Sequence, residues 1–252
     1  MEKGLYSLTS AMLTQSRKLN TISNNMGNSS TPGFKSDRVT STTFKDQMIC
    51  RIGNMEDGKR TPIGTASTIR VVDGTVTDFT QGSLSETGRN LDMMLSGDGF
   101  FAVQTDKGVV YTRNGSFTLD DEGYLCSPDR GRVLGDKGPI LLKTDKITVD
   151  AQGNIFTQDG RGMGRIKTVQ FADNTKLVKV QEGVYKPTEQ AQIKPIATNL
   201  LVEQKVLEDS NVDMMNEMTD MMSSQRALQS SSQLIKMYDQ LMGKIVSEIG
   251  RV

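Results

Sequence analysis

The two ends of the chain carry apolar side chains at a spacing of seven residues. The first repeat consists of Leu5, Met12, Leu19 and Met26, with Leu8, Gln15 and Ile22 three positions after its members. The last repeat consists of Met214, Met221, Leu228, Ile235, Met242 and Ile249. Heptad patterns predict helices that bury one stripe against another helix. We expect helices over residues 5–26 and about 212–249, paired with each other or with other subunits.

The last helix has apolar positions on two flanks of its repeat. The early ones are Met215, Met218 and Met222, and the later ones are Leu234, Tyr238, Leu241 and Ile245. Because one partner covers one flank, we expect at least two helical neighbours. At about 1.5 Å per residue the helices span roughly 33 and 57 Å, so a hairpin leaves nearly half of the longer one unmatched. Exposed apolar surface of this kind marks an interface. The alternative is a self-contained protein whose terminal helices pack back on its centre.

The residues between the two repeats change period. Residues 34–69 are polar with scattered glycines, which predicts an irregular or extended arm. From residue 70 the pattern alternates with period two, and turn signals stand at 105–108, 114–115, 120–123 and 128–131. The sequence therefore predicts an α+β protein. Its parts are a discontinuous terminal-helix coiled-coil domain (1–33 and 208–252), the arm (34–69) and a central, mainly antiparallel β domain (70–207).

Candidate chemistry in the β domain is sparse. The aromatic side chains of Phe100, Phe101, Tyr111, Phe117 and Tyr124 are expected to fill its core. The loops at 97–99 and 120–123 carry glycines and carboxylates, but they lack the spacing of calcium or phosphate loops. Turn formation explains them without a ligand, and Arg89, Asp92, Asp98 and Arg113 are expected to be solvated or turn-fixing charges.

Composition excludes the commonest enzyme chemistries. The chain has no histidine, which removes His-based triads, general bases and zinc sites. Its 30 basic and 30 acidic residues balance, so no charge excess indicates nucleic acid as a partner. The two cysteines, Cys50 and Cys126, are too few for a four-cysteine metal site, and their spacing leaves open whether they form a disulfide. We expect no enzyme activity and no cofactor.

The first twenty residues lack the uninterrupted apolar core of a cleaved secretory signal. No stretch approaches the roughly 20 apolar residues of a membrane span. We expect a protein that is not inserted into a membrane and that either stays in the cytosol or is exported without a cleaved signal.

Three segments carry a resemblance to a known family. LYSLTSAMLTQSRKLNTISNNMGNSSTPGFK (residues 5–35) resembles the amino-terminal signature of flagellar basal-body rod and hook proteins, including its TPGFK turn. NLDMMLSGDGFFAVQTDKGVVYTRNGSFTLDDEGYL (residues 90–125) resembles the central segment of that family. EDSNVDMMNEMTDMMSSQRALQSSSQLIKMYDQLM (residues 208–242) resembles its carboxy-terminal segment. Among rod and hook proteins, the resemblance is closest to the distal-rod subunit, with the proximal-rod subunits close behind.

The resemblance implies a structural subunit of the bacterial flagellum that functions in motility. It implies export by the flagellar type III apparatus, self-assembly with other rod and hook subunits into a helical tube that transmits torque, and pairing of the terminal helices in a coiled-coil core. The alternative is a soluble β-domain binding module that its helices dimerise. The predicted subunit-interface residues are Leu5, Leu8, Met12, Leu19, Ile22, Met26, Met214, Met215, Met218, Met221, Met222, Leu228, Leu234, Ile235, Tyr238, Leu241, Met242, Ile245 and Ile249.

Overall fold

The chain forms two compact units. The computed structural model describes residues 2–44, 47–52, 60–66, 69–106, 108–128, 131–158, 160–188, 192–194 and 200–250. The first unit comprises Met1–Met26, Asp37–Val76 and Met214–Val252, and the second comprises Gly27–Ser36 and Thr77–Asp213. Within the predicted arm, residues 45–46, 53–59 and 67–68 lie outside the described residues, and the domain boundaries stay a prediction.

Both predicted helices are present in the first unit. Helix α1 spans Glu2–Gly27 and ends where residues 28–33 form turns. Helix α2 spans Met214–Ile249, and Glu217 in its first turn places negative charge near the positive end of the helix dipole. The heptad patterns therefore located both helices, although α1 begins three residues earlier than expected.

The two helices pack antiparallel within this unit. Three contacts define the order: Asn25 with Glu217, Lys18 with Asp220 and Gly4 with Tyr238. The pairing leaves residues 239–249 of α2 beyond the last of these contacts, a length of about 16 Å. The unmatched part is shorter than the expected half because α1 begins at Glu2 and its first turns reach Tyr238.

The same unit contains a two-stranded ribbon. Strand β1 (Asp37–Phe44) pairs with β4 (Ile69–Thr77), and β2 (Gln47–Ile52) pairs antiparallel with β3 (Arg60–Ala66). From residue 37 onward, the described residues of the predicted arm therefore form paired, extended strands rather than irregular chain. The sequence did not reveal these strands. They pair with one another and not with an apolar sheet, so polar and apolar residues alternate only weakly along them.

The second unit is an antiparallel β domain with a short 3-10 helix at Asn174–Lys176. Its largest sheet has the order β17-β18-β8-β7-β11-β10-β9, with β12 paired to β11 and β16 paired to β7 and β19. Smaller sheets are β13-β14-β15, β20-β6 and β21-β5. The strands are β5 Leu84–Glu86, β6 Met93–Ser96, β7 Phe100–Thr105, β8 Gly108–Thr112, β9 Thr118–Leu119, β10 Leu125–Ser127, β11 Gly131–Gly135, β12 Gly138–Pro139, β13 Ile147–Val149, β14 Asn154–Thr157, β15 Gly162–Arg165, β16 Thr168–Phe171, β17 Leu177–Gln181, β18 Val184–Pro187, β19 Ile193–Lys194, β20 Leu201–Gln204 and β21 Val206–Glu208.

The strands enclose two buried clusters, one on each face of the large sheet. The larger cluster contains Phe101 and Phe117, and the smaller contains Phe100 and Tyr111. The predicted aromatic core is thus confirmed for these four residues. Tyr124 is only half-buried, and the Arg132 guanidinium lies 4.1 Å from its ring centre, so its ring serves as a cation-π surface.

Three of the four predicted turns join neighbouring antiparallel strands. They connect β7 to β8, β9 to β10 and β10 to β11. The fourth prediction, a hairpin at Asn114 and Gly115, is wrong. The Asn114 side chain accepts a hydrogen bond from the backbone of Ser116, and a Cβ on Gly115 would collide with the carbonyl oxygen of Met93. The glycine is required by close backbone packing instead of by a two-residue turn.

Two helices at the termini and a central antiparallel sheet confirm the predicted α+β class. Strands β20 and β21 pair with β6 and β5, which brings the chain just before α2 to the beginning of the β domain.

Candidate assembly surface and helix-root network

The predicted interface residues fall into two groups. One group lies half-buried in the seam between α1 and α2, with Ile22 fully buried, and comprises Leu8, Met12, Leu19, Ile22, Met26, Met214, Met221, Leu228, Ile235 and Tyr238. Most of them occupy the repeat positions that are expected to face a partner helix. The structure places this stripe between two helices of one chain, and a role between subunits stays a prediction.

The second group is exposed and lies on both flanks of the seam, and we name these residues together the outer face. It consists of Leu5, Met215, Met218, Met222, Leu234, Leu241, Met242 and Ile245. Met215 is the most exposed of these at 74%. The side chain of Ile249 lies outside the described residues. Sequence reasoning followed the heptad and its flanks and therefore missed further exposed apolar side chains on the same helices: Tyr6, Leu13, Met237 and Val246.

The middle of the seam is polar. Gln15, the one polar side chain in the first repeat, has a buried Oε1 atom that accepts no hydrogen bond. Ser224, which is 2% exposed on α2, likewise has an unpaired hydroxyl. The antiparallel order places both near the centre of the helix pair. An unpaired buried polar group costs about 1–3 kcal/mol, so this seam is weaker than an all-apolar one.

The end of the seam near α2's first turn is held by Asn25, which is 1% exposed. Its Nδ2 atom donates to the carbonyl oxygen of Asp37 and to Glu217 Oε1, both over 2.9 Å. Its Oδ1 atom accepts from the Asp37 backbone N–H over 3.0 Å. One buried amide therefore joins α1, the beginning of β1 and the first turn of α2. The amino-terminal signature (residues 5–35) contained Asn25, but the sequence did not indicate which groups it would bind.

The chain that follows α1 turns sharply within the second unit. The Thr31 backbone N–H donates to the Asn28 carbonyl, and the Gly33 N–H donates to the Glu208 carbonyl over 2.7 Å. Gly33 has a φ of +68°, and a Cβ there would lie 2.5 Å from the carbonyl carbon of Arg113. Only glycine fits here, because it adopts this positive φ without strain and has no Cβ to collide with the Arg113 backbone.

Two residues later, Lys35 begins a buried charge cluster that we name the helix-root network. It comprises Lys35, Arg113 and Glu208, which are 0%, 4% and 2% exposed. Glu208 Oε1 accepts from Lys35 Nζ over 2.5 Å, and Glu208 Oε2 accepts from Arg113 Nε over 3.0 Å. The network joins the segment after α1, the end of β8 and the segment before α2, all within the second unit.

Backbone carbonyls complete the network. Lys35 Nζ also donates to the Thr80 carbonyl, and Arg113 Nη1 donates to the carbonyls of Gly97 and Gly99 at 2.6 Å each. Burial lowers the pKa of Lys35 below its usual value, and the Glu208 carboxylate opposes this shift. Two cations thus share one carboxylate in a dry environment, which makes Glu208 the member whose loss leaves the most uncompensated charge.

Arg113 fixes the 97–99 turn, as expected, but the expectation that it could be solvated is wrong because its side chain is buried. Asp92 is also fully buried, and Arg89 Nη1 lies 3.7 Å from its carboxylate. Arg113 is paired with Glu208, 95 positions away, so the sequence around Arg113 did not reveal its burial.

We expect Gly33→Ala to lower the free energy of unfolding by roughly 2–4 kcal/mol, because the new Cβ combines an unfavourable φ with a collision against the Arg113 backbone. Chemical denaturation of the full chain measures this loss. Gly88 is a matched control, since its φ is +72° but a Cβ there meets no atom within 4 Å. Gly88→Ala should cost only about 1–2 kcal/mol. Equal losses in the two variants would show that the close approach at Gly33 contributes nothing.

The remaining candidate sites have structural explanations. Asp120 accepts hydrogen bonds from the backbone N–H groups of Glu122 and Tyr124, and Arg132 donates to the carboxylates of Asp120 and Glu122. Across the described ranges, no cluster of His, Cys, Asp or Glu is arranged to hold a metal ion. Cys50 and Cys126 are free thiols. Among the residues that the structure describes, no helix has the length and apolar character needed to cross a membrane.

Comparison with known protein families matches three parts of the chain. Residues 5–35 match the flagella basal body rod protein family, residues 94–184 the flagellar hook protein FlgE/F/G D1 domain, and residues 203–248 the flagellar basal body rod FlgEFG protein C-terminal family. The Gly33 turn and Lys35 lie in the first match, Arg113 in the second and Glu208 in the third. The helix-root network therefore connects all three matched segments.

Full-length relatives show the same similarity. The flagellar basal-body rod protein FlgG of Bacillus subtilis is 34% identical, and the alignment covers 98% of this chain and 99% of the relative. The flagellar hook-basal body complex protein FlhO of the same organism is 30% identical, with complete coverage of both chains. The flagellar basal-body rod protein FlgF of Caulobacter vibrioides is 31% identical, also over the full length of both.

Proposed function

The chain belongs to the flagellar basal-body rod protein family, and we propose that this structural subunit polymerises through the outer face of its helix pair into a helical tube that transmits torque. The protein is a component of the basal body and is not an enzyme. The observation that carries the proposal is the apolar outer face, which remains uncovered after α1 and α2 have packed together.

An exposed apolar stripe on a paired helix favours further helical neighbours. Met218, Met222 and Leu241 are each about half exposed on α2, while the seam on the other side of this helix is occupied by α1. Copies of one chain that join through two different surfaces form a filament when the rotation between them does not close. Methionine adapts its shape to neighbours that differ slightly in position, which suits a tube with several subunit contacts.

The ribbon supports the same proposal. An isolated two-stranded ribbon is only marginally stable in water. The ribbon here exposes Met48 and Ile63, which are 67% and 63% accessible. Contacts with neighbouring subunits would bury these side chains and stabilise the strands. In this proposal the helices and the ribbon of the first unit both form subunit contacts.

The proposed partners are copies of this chain and other axial proteins, namely rod and hook subunits. We propose that the flagellar export apparatus delivers the chain without cleavage of a signal peptide. The balanced charge gives no reason to expect nucleic acid as a partner, and the proposed tube needs no direct insertion into a membrane.

A seeded light-scattering series over rising concentrations of the full-length protein tests polymerisation. We expect mostly monomer without seeds and continued growth of scattering after sheared polymer or purified rods are added. The alternative, a binding module dimerised by its helices, predicts a plateau at twice the monomer mass. A plateau in the presence of seeds would overturn the polymerisation proposal.

A further inference from the structure

Helix α2 is rich in methionine, and the structure separates exposed from protected sulfur atoms. The helix contains Met214, Met215, Met218, Met221, Met222, Met237 and Met242. Met215, Met218 and Met222 are 74%, 46% and 53% exposed and recur at helical spacing along one flank, whereas Met237 and Met242, which are also exposed, lie roughly four to six turns farther along the helix. In the β domain, by contrast, Met93 and Met94 are 0% and 2% exposed. One chain therefore offers both reactive and shielded thioethers.

We propose that Met215, Met218 and Met222 form an oxidation site whose conversion to methionine sulfoxide by peroxide prevents the outer face from joining a neighbouring subunit. This inference rests on the proposed polymerisation through the outer face. The chemical class of the reagent is a two-electron oxidant such as hydrogen peroxide, and the modified form can be restored by methionine sulfoxide reductases.

The reaction is balanced and requires only the thioether and peroxide. A sulfur lone pair attacks one peroxide oxygen, and the O–O bond breaks. That oxygen remains on sulfur as a sulfoxide, and the other leaves as water after proton transfer. The sulfur is oxidised by two electrons, and the peroxide is reduced by two.

The product opposes burial for a physical reason. A thioether is apolar and flexible, whereas a sulfoxide carries a strongly polar oxygen. Three sulfoxides on one flank would have to lose water when a neighbouring helix covers them, and an apolar partner supplies no donors. The unassembled chain tolerates the change because the same side chains lie in solvent there. The modification thus distinguishes free subunits from packed ones.

Of the two cysteines, Cys126 is the weaker target for peroxide. Burial, reinforced by the neighbouring Asp120 carboxylate, raises the pKa of the Cys126 thiol. A raised pKa reduces the fraction of reactive thiolate at neutral pH. Cys50 lies half-buried on strand β2. The exposed methionines are therefore the sulfur atoms most open to peroxide among the residues whose exposure the structure describes.

Peptide mass spectrometry of the full-length protein during a graded peroxide treatment tests the selectivity. We expect sulfoxide to form roughly tenfold faster at Met215, Met218 and Met222 than at Met93 and Met94, because access controls the rate. Equal rates at the two sets would overturn the site assignment. The oxidation rates at individual methionines do not depend on assembly. They therefore test the assignment of the oxidation site even if the protein does not polymerise.

Seeded growth tests the consequence. We expect treated protein to lose seeded growth, and reductase treatment to restore it. The triple variant Met215→Leu, Met218→Leu and Met222→Leu keeps apolar volume without sulfur, so peroxide should not change its seeded growth from the level that the untreated variant shows. Growth of the oxidised wild-type chain, or loss of growth in the treated leucine variant, would overturn the inference. Failure of untreated wild-type protein to grow would instead count against polymerisation itself and against the proposed effect of oxidation on it.

Discussion

Glu208→Gln should lower the free energy of unfolding by roughly 3–5 kcal/mol, the cost of removing one partner from a buried ion pair. The substitution keeps the size of the side chain but removes the charge that Lys35 and Arg113 share. The new amide group also presents donors to a site where Lys35, Arg113 and the Gly82 N–H already donate. Urea denaturation of the full chain, followed by far-UV circular dichroism, measures the loss.

Glu203 provides a matched control because it lies on strand β20, close to Glu208 in sequence, and its side chain is exposed. Glu203→Gln should change stability by less than about 0.5 kcal/mol. Adding Lys35→Met to Glu208→Gln should recover part of the loss, since it removes one of the two uncompensated cations. If Glu208→Gln is as stable as the wild type, the helix-root network does not stabilise the segments that follow α1 and precede α2.

Lysine substitutions on the outer face should abolish assembly without unfolding the subunit. The variant Met218→Lys, Met222→Lys and Leu241→Lys replaces three exposed apolar side chains by charges that a neighbouring helix would have to bury. If each contact contributes a little over 1 kcal/mol, the concentration needed for seeded growth should rise by about 100-fold or more. Monomer stability should change little, because these side chains are already about half exposed in the free chain.

The control carries the same charge on polar positions of the same helix. Thr219→Lys, Gln233→Lys and Gln240→Lys alter exposed polar side chains at one heptad position, which differs from the positions of Met218, Met222 and Leu241, and add three positive charges to α2. This variant should assemble at a concentration close to that of the wild type. Sedimentation of seeded samples distinguishes the two variants, and complementation of motility tests them in cells. Equal loss of assembly in both would point to net charge, and not to the outer face, as the cause.

The sequence predicted the helices well because their signal is local and periodic. Seven-residue spacing located α1 and α2 within a few residues, and turn residues located three hairpins of the β domain. The pairing of the ribbon strands was not predicted, since polar strands without an apolar face lack alternation. The wrong hairpin prediction at Asn114 and Gly115 shows that a dipeptide typical of turns also occurs where two backbone segments pack closely.

The helix-root network could not be predicted because its members lie far apart in sequence. Lys35 and Glu208 are separated by 173 positions, and Arg113 and Glu208 by 95. Isolated charged residues in polar surroundings ordinarily remain in solvent, which is why Arg113 was expected to be a solvated or turn-fixing charge. The glycine of the TPGFK segment was a usable signal, because its backbone and the approach of Arg113 both require the absence of a Cβ.

The polar middle of the helix pair has a consequence for how the pair opens. Asn25 holds one end, Tyr238 contacts Gly4 at the other, and the unpaired atoms of Gln15 and Ser224 lie between them. The polar middle thus divides the helix pair into two short packed segments, and each segment has its own contact at its outer end. Either half can separate at a lower cost than the whole, because cooperativity between the halves is weakened where polar groups interrupt the packing.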